Sequence, residues 1–374
     1  MRANTWIAPR RCRAAALALL ALPALPALAD DAVPTLTSAS TEYRLPAAAT
    51  DGLFDPILPD TSLVDAGALV DLAQKGLPQL GPLSIGTPDS GLLVNPMPMP
   101  EGPYWKLRNP LESYGTVETI EFIVTAIEAV EARFPGSPRV VIGDISRPDG
   151  GRLNRHRSHQ AGRDADIGFY YAAGEAHDFA AARRKDLDLA RTWELVRALI
   201  TETDVDRIFV DRSLIAVLYA YARDEQNEDG DWLDDVFGRL GAGRKGIIQH
   251  ERRHKNHLHV RFFNRRAQEY GRIVYPVLVE EGAVPPPRIK HRVARGETIG
   301  QLAARYGTTS AAIRAANGLS GTRLRAGRSY LIPIRRVPPD SGPVVVPPRR
   351  VPLTHVASGM GGGDPAPAGL TSLR

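Results

Sequence analysis

Only one cysteine, Cys12, occurs in the 374 residues, and it lies within the first thirty. An internal disulfide, a four-thiolate zinc site and a cysteine-ligated cluster are therefore excluded. Long hydrophobic runs are also missing. The most apolar stretch, Ala14 to Leu28, is broken by Pro23 and Pro26 and is too short to span a bilayer. A strong charge imbalance is absent: 47 Lys and Arg face 42 Asp and Glu, for a net +5. With 43% hydrophobic and 24% charged residues, the composition is that of a globular protein with enough chain for a real core.

The first residues are instructive. Arg2, Arg10, Arg11 and Arg13 precede the short apolar stretch, which ends in Ala27-Leu28-Ala29 before Asp30-Asp31. A basic segment, an apolar segment and an A-x-A site predict a cleaved signal peptide over 1–29 and an exported protein. Cys12 leaves with that peptide, and the mature chain has no transmembrane segment. Charge then divides sharply. Residues 284–374 carry 14 basic and 3 acidic side chains, whereas 30–283 carry 29 basic and 39 acidic ones. An acidic body bears a basic C-terminal arm. Export and the scarcity of aromatics in that arm argue against a nucleic-acid partner.

Between these ends the pattern predicts a polar, Pro/Ala-rich N-terminal extension over 30–76, in which only Thr61 to Lys75 has helical spacing. An α+β domain over 77–283 follows. Thr116 is placed to cap a helix whose apolar face is Ile120, Ile123, Val124, Ile127 and Val130. Arg139 to Ile145, Val205 to Val210 and Leu258 to Phe263 read as strands. Asp186 to Thr201 and Leu214 to Tyr221 read as helices. A stiff proline-rich linker, 284–288, leads to a compact segment at 289–335. The remainder, 336–374, is rich in Pro and Gly and is expected to be disordered.

Six of the nine histidines fall into two clusters: His156 and His159 before Asp164 and Asp166, and His250, His254, His257 and His259. Imidazole and carboxylate suit Zn²⁺, which at a catalytic site takes three protein ligands and leaves one position open. Two ligand sets compete. His250-Glu-Arg-Arg-His254 fits H-E-x-x-H, a motif that needs a helix. Gly241, Gly243 and Gly246 just upstream speak against one, and Glu280 or Glu281 would have to supply the third ligand. The other set is His159, Asp166 and His259. Ala161-Gly162 suggests a turn before Asp166, which would open a strand. His257 and His259 alternate on the strand LHVRF, so one can bind metal while the other reaches the reacting groups. The acidic stretch from Asn227 to Asp235 lacks D-x-D-x-D-G spacing and reads as a surface loop, not a Ca²⁺ site.

Ser158-His-Gln-x-Gly-x-Asp-x-Asp166, preceded by Gly143-Asp144 and Gly150-Gly151 and followed by His254-x-x-His-x-His-Val-Arg261, resembles the penicillin-insensitive murein endopeptidases. These are zinc enzymes of the lysostaphin and D-Ala-D-Ala metallopeptidase group. The resemblance runs from about Leu83 to Arg261. It implies His159, Asp166 and His259 as zinc ligands, His257 beside the reacting water, His254 as a further catalytic histidine, and His156 in a supporting or substrate-binding role. It also implies cleavage of the D-alanyl–diaminopimelyl crosslink of peptidoglycan. Arg155 stands where a small residue is expected, at the rim of the site. Arg147, in the same loop region, is a candidate to hold a substrate carboxylate.

His291 to Ile334 resembles a single LysM module of βααβ order, through V-x-x-G-E-T-I, N-G-L and L-x-x-G-x-x-Y-L-I-P. The resemblance implies binding of N-acetylglucosamine-containing glycan, with Gly296, Glu297, Thr298 and Ile299 and with Asn317 and Leu319 lining the groove. A zinc D,D-carboxypeptidase fits His159-x-x-Gly-x-x-x-Asp166 equally well, and a non-catalytic wall-binding protein is a third reading. No sequence feature sets an oligomeric state.

Overall fold

The computed structural model describes residues 65–75, 80–153, 155–174, 178–239, 245–334 and 342–352. The signal peptide and most of the N-terminal extension lie outside these residues. In chain order the elements begin with α1 (Ala66–Lys75), β1 (Leu83–Thr87), β2 (Ser90–Val94), β3 (Met97–Pro98), β4 (Trp105–Leu107) and β5 (Tyr114–Gly115). Then come α2 (Val117–Arg133), β6 (Val140–Ile142), β7 (Asp164–Ile167), α3 (Leu189–Glu202), β8 (Val205–Val210) and α4 (Arg212–Asp224). The domain closes with α5 (Gly230–Val236), β9 (Ile248–His250), β10 (Leu258–Phe262) and α6 (Arg265–Glu280). The C-terminal module is β11 (Arg288–Arg292), α7 (Ile299–Arg305), α8 (Ser310–Asn317) and β12 (Ser329–Pro333). The α+β class and the βααβ order agree with the sequence reading.

A six-stranded sheet of order β4-β6-β7-β10-β8-β9 is the backbone of the domain. Its three middle strands are antiparallel neighbours, with His259 opposite Asp166 and Arg261 opposite Asp164, and His259 opposite Phe209 on the other side. Because side chains alternate across a strand, D-A-D-I and L-H-V-R-F send their two kinds of residue to opposite faces. Ala165, Ile167, Leu258, Val260 and Phe262 enter the core, each fully buried. They pack with Ile120, Ile123, Ile127 and Val130 of α2 and with Trp193, Val196 and Leu199 of α3. Burying each large aliphatic side chain contributes about 1.5–3 kcal/mol. The opposite face of the same strands is left for polar groups.

Thr116 caps α2 as expected, its hydroxyl accepting the Thr119 amide at 3.3 Å. Asp188 caps α3 and Asp229 caps α5 by the same device. Asp229 thus belongs to a helix start, which accounts for part of the acidic 227–235 stretch. The strand predicted over 139–145 is shorter, Val140–Ile142. Beyond it the chain swings to bring Asp144 against Asp166, whose amide donates to the Asp144 carbonyl at 3.0 Å.

A second core joins what the sequence reading left apart. Leu69 and Ala73 of α1 pack with Leu83 and Ile85 of β1, Val274 and Leu278 of α6, and Val284. The last turns of the N-terminal extension are thus part of the domain. So is the first residue of the expected stiff linker, and the Tyr275 hydroxyl donates to the Pro285 carbonyl at 3.2 Å.

The expectation of a disordered tail also needs correcting over 342–352. There the Val344 amide donates to Glu269 at 2.9 Å, and the Trp232 indole donates to the Arg350 carbonyl at 2.8 Å. Arg349 pairs with Asp204, and Arg350 with Asp235. Composition argued for disorder because little apolar surface is available, but these contacts are hydrogen bonds and ion pairs made by an extended, proline-rich strap. Truncation before residue 342 is expected to cost about 1 kcal/mol. By calorimetry that is a fall of about 2–4 °C in the unfolding midpoint, whereas truncation before 353 should leave it unchanged.

Candidate metal centre

The polar face of β7 and β10 and the loop from Ser158 to Gly162 converge on one buried cluster. The loop is held from below: Thr119 Oγ1 donates to the Gly162 carbonyl at 2.7 Å, and Ser146 Oγ donates to the His159 carbonyl at 2.7 Å. Gly162 has φ +67°, and a Cβ there would stand 2.6 Å from Leu93 Cδ1. Glycine takes this turn without the strain or crowding a side chain would meet. His159 itself sits at φ +64°, a left-handed conformation that is rare away from glycine.

The hydrogen bonds fix every tautomer in the cluster. His159 Nδ1–H donates to the Ile145 carbonyl at 2.9 Å, so in the neutral ring Nε2 is the bare nitrogen. His259 Nε2–H donates to Asp164 Oδ2 at 3.1 Å, which leaves Nδ1 bare. Asp164 is in turn gripped by Nε and Nη2 of Arg261, at 2.8 and 3.0 Å. The bare nitrogens of His159 and His259 lie 3.3 and 3.4 Å from one oxygen, Asp166 Oδ1. His159 Nε2 and Asp166 Oδ1 are both buried and neither has a hydrogen-bond partner. Buried polar atoms are rarely left so. Imidazoles whose far nitrogens are tied to a carbonyl or carboxylate are built as metal ligands are. The donor set therefore fits a divalent cation, and two overlapping groups could hold one: His156, His159 and Asp166, and His159, Asp164 and His259.

Around this centre, His257 points Nε2 at the same Asp166 Oδ1, 3.5 Å away, while its Nδ1–H donates to Asn256 Oδ1 at 2.8 Å. His254 stands next to both, its ring 4.8 Å from that of His257 and 5.5 Å from that of His259. His156 Nε2–H donates to Asp144 Oδ2 at 2.8 Å, and its ring lies 4.4 Å from His159. His156 is thus brought into the cluster itself. Arg147 is not: it is half-exposed and chelates Asp149 at 3.0 and 3.2 Å. Arg155 is exposed on the loop.

Electrostatics follow from this crowding. Burial disfavours the charged form of His159, but Asp166 and then Asp164 outweigh it and lift the imidazole to about 9. Burial would raise Asp166, but His159, His257 and His259 hold it well below the usual carboxylate range. At His257 burial, helped by the neighbouring imidazoles of His254, His259 and His159, outweighs Asp166 and pushes the ring down to about 4, and burial lowers His254 as well. Without a metal, the proton that makes His159 cationic faces Asp166 where a cation would be held.

The competing H-E-x-x-H reading fails on geometry. His250 ends β9 and accepts the Arg212 amide through Nδ1 at 2.9 Å. Residues 251–257 form turns, with Arg253 at φ +71°, so no helix aligns His250 with His254. Glu251→Gln is expected to leave metal content and activity unchanged, measured by elemental analysis and turnover. Asp144, Asp164, Asn256 and Arg261 are the cluster members whose roles the sequence reading did not assign. The alternation of D-A-D against H-V-R was the available signal for Asp164 and Arg261.

In the C-terminal module, Gly296, Glu297, Thr298 and Ile299 line a cleft of about 410 Å³ with Thr322, Arg323 and Leu324. Glu297 is engaged internally by the Ala294 amide, His291 and Arg305. Thr298 caps α7. Asn317 does not open onto the cleft lining: its amide brackets the Leu331 backbone at 2.6 and 2.8 Å. Leu319 packs on the module's core.

Among known proteins, a family model described as penicillin-insensitive murein endopeptidase matches residues 84–277, and a LysM domain model matches 291–333. The penicillin-insensitive murein endopeptidase of Haemophilus influenzae is 28% identical over 198 residues, covering 47% of this chain and 62% of the relative. Those of Escherichia coli and Salmonella paratyphi B are 29% and 28% identical over 196 residues, covering 48% of this chain and 65% of each relative. The chain thus spans less than two thirds of the length of these curated relatives.

Proposed function

We propose that this chain, which belongs to the penicillin-insensitive murein endopeptidase family, is an exported zinc-dependent hydrolase of peptidoglycan, cutting the D-alanyl–diaminopimelyl crosslink in the periplasm or cell wall. The observation that carries the reading is the convergence of two bare imidazole nitrogens on the orphaned Asp166 Oδ1, with His257 Nε2 beside them. His159, Asp166 and His259 would hold the ion. Zinc, when bound, supplies Lewis acidity toward a peptide carbonyl and toward water.

The protein's own groups do the rest. His257 is unprotonated at neutral pH, so Nε2 can accept a proton from the attacking water and return it to the leaving amine. Asn256 fixes the tautomer that makes this possible. His254, its Nδ1–H held by the Arg252 carbonyl, would turn Nε2 toward His257 and steady the imidazolium that forms there. Asp164, clamped by Arg261, keeps His259 oriented, and Asp144 does the same for His156. No glutamate base is needed. The LysM module is the second half of the reading: its cleft would take N-acetylglucosamine-containing glycan and raise the local concentration of crosslinks.

Muropeptide profiling of purified wall, with and without a chelator, tests the reading. Crosslinked dimers should become monomers, chelator should stop the reaction, and zinc should restore it. Free D-alanine without loss of dimers would mean a carboxypeptidase. Unchanged profiles would mean a non-catalytic wall-binding protein. Soluble N-acetylglucosamine oligomers should slow digestion of intact wall and leave cleavage of soluble dimers unaffected.

A further inference from the structure

His257 is held in its own plane by Asn256, but a hydrogen bond along the ring plane does not stop the ring from tilting. The face of the ring is covered by Phe179, stacked at 4.8 Å between centroids and 15° between planes. Phe179 comes from the segment between β7 and α3, far in sequence from both histidine clusters, and the family motifs do not include it.

Several independent features hold that phenyl ring in place. Phe179 is buried and adopts φ +49°, a backbone conformation that a bulky residue rarely takes and that tends to persist where the surroundings enforce it. Gly143 makes room for it, since a Cβ there would stand 2.5 Å from Phe179 Cζ. Arg108, paired with Asp178 at 3.1 Å, lays its guanidinium over the ring at 5.1 Å. The residues just after Phe179 are latched twice. The Ala182 amide donates to the Lys255 carbonyl at 2.8 Å, two residues before His257, and the Tyr171 hydroxyl donates to the Ala180 carbonyl at 2.5 Å. Phe179 touches none of the three proposed metal ligands through a polar atom and has no chemistry of its own. Its ring contact with the proposed reaction centre is the face of His257.

We infer that Phe179 is a positioning residue for the endopeptidase reaction, fixing the tilt of the His257 imidazole so that Nε2 faces the reacting water. The inference rests on the proposed function above. A general base off its line by about 1 Å costs turnover on the order of 10²-fold, whereas substrate binding and metal retention do not depend on its tilt. Gly143 is explained by the same arrangement, as the residue whose missing side chain lets the phenyl ring reach the histidine.

The test uses the full-length zinc-loaded protein with Phe179→Leu and Phe179→Met, which keep apolar volume and remove the aromatic face. Zinc per chain and KM for soluble crosslinked dimers should stay at wild-type values, while kcat falls about 10²-fold. A second readout is independent of activity. The carbon-bound ring protons of His257, assigned by their loss in His257→Ala, should move downfield in both variants as the phenyl ring current is removed. Unchanged kcat, unchanged His257 resonances, or loss of zinc in both variants would overturn the positioning role. Wild-type protein inert toward dimers would overturn the endopeptidase reading instead, and the resonance shift would still decide whether Phe179 sets the His257 ring.

Discussion

His257→Ala is expected to keep a full complement of metal and lose turnover by about 10²–10⁴-fold, the usual contribution of a positioned general base. The two outcomes separate because the histidine differs from its neighbours in one respect. The free nitrogen of His257 is near Asp166 Oδ1, but its burial leaves it neutral with a pKa near 4, whereas His159 and Asp166 carry the shared charge. Removing His257 therefore leaves the ligand trio and its supports at Ile145, Asp164 and Arg261 in place. Zinc per chain, measured by elemental analysis beside turnover on soluble dimers, reads both effects. Loss of zinc in this variant would move His257 into the ligand set.

Asp166→Asn is expected to do the opposite, abolishing metal retention and activity together, with His159→Ala and His259→Ala alongside it. The carboxylate is the one group that faces all three imidazoles, of His159, His257 and His259. The pH dependence follows with a definite sign. In the metal-free protein His159 is raised from its ordinary value near 6.5 to about 9 by its buried partner. The stability this pair contributes is fully present below about pH 6.5 and is lost as pH rises through about 9. Metal must displace that proton, so its affinity should rise with pH over the same window, with protons released on binding. Thermal melts of the metal-free protein at pH 6.5 and 9.5 should show lower stability at the higher pH. Titration calorimetry in two buffers counts the protons. A pH-independent affinity from 6.5 to 9 would contradict the arrangement.

Much of this centre could be read from the sequence because it is built on strands. In D-A-D-I and L-H-V-R-F the period of two shows at once which residues share a face, and the antiparallel pairing of β7 with β10 then brings Asp166 opposite His259. Thr116 announced α2 through a local rule about capping. Other features depend on packing that no local pattern records. Phe179 reaches His257 because Gly143 leaves space and Arg108 lies over it, and those three residues come from separate segments. Val284 reads as the start of a stiff proline-rich linker, yet it joins a core with α1, β1 and α6. His250-Glu-Arg-Arg-His254 was a spacing without its helix, and the turn at Arg253 separates the two histidines. The tail between 342 and 352 was read from composition, which measures apolar content and is blind to the ion pairs and carbonyl bonds that hold it.

That strap also changes how the LysM module is attached. Its chain leaves the peptidase domain at Val284 and Pro285 and returns to it by Val344. The module is thus a loop closed at both ends, not a pendant on a string. A pull on any ligand of the module would reach the peptidase domain through two anchorages in parallel, each carrying part of the load.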